Sequence, residues 1–83
     1  MERTNEPLLA AFATTLRSAR IAAGLSQEDL AARADISARH ISFLETCRRQ
    51  PSLATLMAIS DGLGLTMREF AGRVEDDFRR SQR

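Results

Sequence analysis

The sequence has no lysine: all twelve of its basic residues are arginine. It holds a single cysteine, Cys47, so no intrachain disulfide can form, and no cysteine–histidine spacing suggests zinc. No apolar run reaches the roughly 20 residues that a membrane-spanning helix needs, and the N-terminus lacks a signal-peptide pattern. A cytoplasmic protein without membrane contact is the expectation. Net charge is only +1, so bulk charge barely favours a polyanion and any case for nucleic acid must rest on charge placement. A carboxylate pair, a nucleophile–base set, a metal-ligand cluster and a phosphate-cradling glycine loop are all missing. Neither an enzyme nor a bound metal or cofactor is expected.

What remains suits one small globular domain. The chain is 83 residues long with 43% apolar residues. The domain spans 1–83, with a core at about 6–72 and a helical extension and tail over 73–83. So short a chain buries a modest core and often gains stability by oligomerising. Arginine suits bidentate contact with phosphate or guanine, although genomic base bias gives the same composition. Cys47 reads as a small residue after a helix end, or as a thiol whose ionised form Arg48 and Arg49 would favour.

Residues 26–45 organise the rest. Ser26 lies between Leu25 and Leu30, and Ser37 between Ile36 and Ile41. A serine N-cap satisfies an orphan backbone N–H, worth about 1 kcal/mol, and flanking apolar residues at N′ and N4 form a hydrophobic staple. The pattern predicts one helix from Gln27 to about Ala34, a turn through Asp35 and a second helix from Ala38 to about Glu45. So tight a turn needs a positive φ, which aspartate tolerates better than most residues. Two short helices so joined make a helix-turn-helix with the spacing of the DNA-reading kind.

These residues, Gly-Leu-Ser-Gln-Glu-Asp-Leu-Ala at 24–31, Ile-Ser and His-Ile-Ser within 36–45, and Arg-Arg-Gln-Pro-Ser-Leu from 48, resemble the Cro/phage-repressor (xenobiotic-response-element) family. The resemblance runs from about Leu16 to Phe70. It implies an all-α, five-helix, lambda-repressor-like domain. Asp35 and Cys47 depart from it, standing where the family usually has glycine. The resemblance also implies that Arg20 pairs with Glu45 and that Gln27 contacts the DNA backbone. Without it, Arg20 reads as a cation favourable to the C-terminal dipole of the first helix, and Gln27 as a residue beside the exposed N–H groups of the second.

The first helix starts near Glu6 and Pro7, carries Leu9, Phe12, Leu16, Ala19 and Ala23 at helical spacing, and ends at Gly24. Met1 to Asn5 form a polar lead-in. On the third helix Ile41 and Leu44 face inward, leaving Ala38, Arg39, Ser42 and Phe43 outward as candidate base-reading residues. Arg39 can bond guanine O6 and N7 together; phosphate contact and plain surface are its alternatives. Phe43 can pack on a thymine methyl, or serve core or dimer packing. Ser37, His40, Arg48 and Arg49 join Gln27 as candidate phosphate contacts. The fourth helix follows Ser52 with an apolar stripe of Leu53, Leu56, Met57, Ile59 and Leu63, and ends at Gly62 and Gly64. Thr66 and Glu69 form a capping box for the fifth, whose early apolar residues Met67, Phe70 and Ala71 belong to the core. Val74 and Phe78 form a candidate dimer surface, and Arg79 to Arg83 read as disordered.

The expected function is a sequence-specific, double-stranded-DNA-binding transcriptional regulator, a homodimer on a palindromic operator with half-sites about 10 bp apart. A stand-alone repressor, a restriction–modification controller and an antitoxin bound to a toxin all fit the residues. A protein-interaction module that keeps the fold without DNA is the contrasting class.

Overall fold

The computed structural model describes residues 5–83. Most of the expected lead-in, residues 1–4, lies outside the described residues, but Asn5 has a defined role. Its side chain caps the first helix by accepting the Leu8 N–H at 3.0 Å. Five helices follow: α1 (Glu6–Ala22), α2 (Gln27–Ala34), α3 (Ala38–Glu45), α4 (Leu53–Gly62) and α5 (Met67–Ser81). No strand occurs among the described residues.

The helix starts follow the local chemistry. Ser26, Ser37, Ser52 and Thr66 each accept a backbone N–H at position N3. Thr66 and Glu69 close the expected capping box, and Ser26 with Asp29 close a second one. In both boxes the hydrogen bonds to the carboxylate hold its pKa below the ordinary value. The turn after α2 places Asp35 at φ 56°, and the Ile36 N–H reaches back to the Ala31 carbonyl. Cys47 ends α3 in the same way at φ 62°, with the Arg48 N–H on the Phe43 carbonyl at 2.9 Å. Both departures from glycine are therefore accommodated in the left-handed region, at some backbone strain.

The core gathers side chains from all five helices. Leu16, Leu30, Ile41, Leu44, Ile59 and Phe70 are fully enclosed, and each such residue stabilises the fold by about 1.5–3 kcal/mol relative to exposure. Phe12 meets Phe70 edge-to-face, with centroids 5.9 Å apart. Helix α1 packs along α5, and α2 lies between α3 and α4. Gly62, the last residue of α4, is buried against α2. A Cβ there would sit 3.0 Å from Leu30 Cδ1 and 3.3 Å from Arg33 Cβ, so the absence of a side chain sets how closely these helices approach.

Several expectations need correction. Val74 is not surplus surface: it is 8% exposed and belongs to the core. The stripe of α5 that meets α1 runs through Phe70, Val74 and Asp77, which leaves Ala71 exposed and Phe78 half-buried. Asp77 accepts the Thr15 hydroxyl across that seam and pairs with Arg80 at 2.7 Å. With this anchoring, α5 stays helical to Ser81, including Arg79 and Arg80, which had read as disordered. The stripe on α4 is only partly used. Ile59 is buried, Leu56 and Leu63 are half-buried, and Leu53 and Met57 are 74% and 46% exposed. Among the described residues, no single helix is long and apolar enough to cross a membrane.

Candidate nucleic-acid interface

Helix α3 divides its side chains between two environments. Ile41 and Leu44 point into the core. Glu45 lies beside them, its side chain 4% exposed, and gathers three donors. Arg20 approaches it with Nε at 2.6 Å and Nη2 at 3.0 Å, and Gln27 Nε2 donates at 3.1 Å. The third arm of the guanidinium, Nη1, donates to the Leu25 carbonyl at 2.9 Å. Two-pronged arginine–carboxylate bonding is directional as well as strong. It locks the end of α1, the start of α2 and the end of α3 in one geometry. The bond to Glu45 also raises the Arg20 pKa.

Opposite this clamp the helix is open. Arg39 is exposed, and His40, Ser42 and Phe43 are half-buried. Ala38 is less outward than expected: it is half-buried and packs against the core, so it forms the floor of the ridge. Two shallow depressions flank the ridge and share Arg39. One is lined by Gln27, Glu28, Ala38, Arg39 and Ser42, together with Ser26 and Arg20. The other is lined by Ser37, Arg39, His40, Phe43 and Arg49. Arg48 joins the second side, its Cζ lying 5.8 Å from the Phe43 ring centroid. The base-reading and phosphate candidates therefore form one continuous surface. Val74 and Phe78 lie apart from it on α5.

The positions of these groups refine their roles. The Ser37 oxygen is engaged as a cap for the His40 N–H at 3.0 Å, which leaves its own O–H free to donate. Gln27 spends one amide N–H on Glu45, leaving its second N–H, its carbonyl and the helix-start N–H groups for a ligand. The sequence reading missed Glu28. It lies beside Arg39 in the first depression, and its place one residue after Gln27 was the available signal. A carboxylate there repels phosphate and can accept from cytosine N4. Among the described residues, no group of histidine, cysteine and acidic side chains could hold a metal ion.

A small helical domain with a clamped helix pair and an open, arginine-bearing ridge defines a helix-turn-helix protein, and the comparisons agree. The helix-turn-helix family model matches residues 16–70, and the chain belongs to that family, of the Cro/C1 type that its motifs resemble. The chain is similar to control protein C.MunI from Mycoplasma sp, with 40% identity over 53 residues, 64% of this chain and 72% of the relative. Its fold matches the restriction-modification controller protein C.AhdI from Aeromonas hydrophila at TM-score 0.72 and 32% identity, covering 75% of this chain and 94% of that one. It also matches the controller protein C.Esp1396I, solved as a tetramer in complex with its natural 35 base-pair operator. There the TM-score is 0.80 at 25% identity, covering 86% of this chain and 93% of that one.

Proposed function

We propose that the chain is a controller-type transcriptional regulator that binds double-stranded operator DNA as a homodimer in the cytoplasm. The observation that carries this reading is the open ridge of α3, braced from behind by Arg20 and Glu45 and flanked by Gln27, Arg48 and Arg49. Arg39 and Ser42 read base edges from the major groove over the Ala38 floor. Gln27, Ser37, His40, Arg48 and Arg49 hold the two phosphate backbones on either side. The subunit contact is better supported on α4, where Leu53 and Met57 stand exposed, than at the buried Val74; Phe78 on α5 is half-buried. The relatives are named controllers, which gives the antitoxin and interaction-module alternatives no support.

Selection of bound sequences from a random duplex pool, followed by a salt titration, tests the reading. The expected result is a palindrome with half-sites about one helical turn apart and an affinity that falls steeply with salt through counterion release. Recovery of no enriched sequence would remove the regulator reading.

A further inference from the structure

Phe43 is the one large aromatic side chain on the reading ridge, and two cations rest on it. The Arg39 guanidinium carbon lies 5.2 Å from its ring centroid and that of Arg48 lies 5.8 Å away, both within cation–π range. Each contact has a distinct backbone cause. Arg39 and Phe43 are one helical turn apart, so their side chains meet along the face of α3. Arg48 returns to the ring because Cys47 adopts φ 62° and the Arg48 N–H bonds the Phe43 carbonyl. Phe43 is itself half-buried. An exposed arginine otherwise samples many rotamers, and a ring beneath its planar head restricts them before a ligand arrives.

We propose that Phe43 is a positioning residue that acts through its two arginine neighbours: it presents Arg39 to a guanine edge and Arg48 to the adjacent phosphate, so that base reading and backbone clamping are coupled through one ring. This rests on the regulator reading above and deepens it. It differs from direct packing of Phe43 on a thymine methyl, since the ring then gains its effect through guanidinium groups rather than through a base.

The test measures binding of the wild type, Phe43→Leu and Phe43→Tyr to the selected duplex and to two modified versions. One carries 7-deazaguanine at the position whose preference Arg39→Ala relaxes, which deletes the N7 acceptor. The other carries uracil in place of thymine within the half-site, which deletes only methyl groups. The wild type should lose about 5- to 150-fold on the deaza duplex. Phe43→Leu should lose most of that discrimination, and its salt slope should fall by about 1 as Arg48 is released. Phe43→Tyr, which keeps the ring, should restore both. The Phe43→Leu defect should be the same on the thymine and uracil duplexes. An unchanged deaza penalty in a folded Phe43→Leu protein would overturn the proposal, as would a defect that vanishes on uracil. If the wild type discriminates and the leucine variant does too, only this inference falls. If the wild type binds no duplex, the regulator reading falls with it.

Discussion

The two sides of α3 obey different rules. On the inner side, Glu45 has three donors within 3.1 Å and Ile41 and Leu44 have no exposure. On the outer side, Arg39 is exposed and, among the described residues, makes no hydrogen bond or ion pair, its guanidinium resting on the Phe43 ring. A helix of eight residues thus separates stability from recognition by rotation alone. The inner groups are satisfied within the domain, so losing one strands its partner. The outer groups still have bonds to make, so losing one should be felt when a ligand is present.

This contrast can be broken at several points. The largest effect is expected for Glu45→Ala, which leaves the nearly buried Arg20 charge without its partner. Removing one member of a buried pair costs about 3–5 kcal/mol, and urea unfolding should report it. A change below about 1 kcal/mol would mean that the clamp is an ordinary surface pair. Next comes Gly62→Ala, which forces a methyl to within 3.0 Å of Leu30 Cδ1. Overpacking of this kind costs about 1–3 kcal/mol, again read from urea unfolding. An unaffected midpoint would show that α2 can shift freely behind the reading helix. A smaller effect of opposite sign is expected for Cys47→Gly. Relief of the left-handed strain should outweigh the added unfolded-state entropy and raise stability by about 0.5–1 kcal/mol. The same variant should leave the path of Arg48 intact.

The smallest effect is one of pH. Asp29 and Glu69 have carboxyls depressed by their capping bonds. Their contribution is therefore fully present above the unfolded-state values of roughly 4 and is lost as pH falls through the lower folded values. Thermal melts should show this acid-side slope, and Asp29→Asn with Glu69→Gln should flatten it. A slope that persists in the double variant would place its origin elsewhere.

The legible parts of the fold were those governed by neighbours in sequence. Ser26, Ser37, Ser52 and Thr66 each mark a helix start because a cap acts over three residues, and Asp35 revealed its positive φ through the shortness of the turn. The Arg20–Glu45 pair, 25 positions apart, came from resemblance rather than spacing, and the geometry bears it out. What stayed hidden depends on which helix covers which face. Periodicity gave α5 an apolar arc from Met67 to Phe78, but only docking against α1 selects Phe70, Val74 and Asp77 as the covered stripe. For the same reason the apolar stripe on α4 does not reveal that α2 and α5 leave its members Leu53 and Met57 exposed. Gly62 does end α4 as the sequence indicates, but nothing local reveals its close approach to Leu30. Within the site, the sequence placed Arg39 and Ser42 on the outer ridge but missed Glu28, which becomes its neighbour only when α2 and α3 pack.

The most direct test of the separation is Arg39→Ala, compared with the wild type by duplex selection and by unfolding. The account predicts unfolding stability within about 0.5 kcal/mol of wild type, together with relaxed preference at one base pair of each half-site, worth about 1–3 kcal/mol. Equal weakening on every sequence would make Arg39 a phosphate contact, and binding with an unaltered preference would contradict the assignment of this ridge to the major groove.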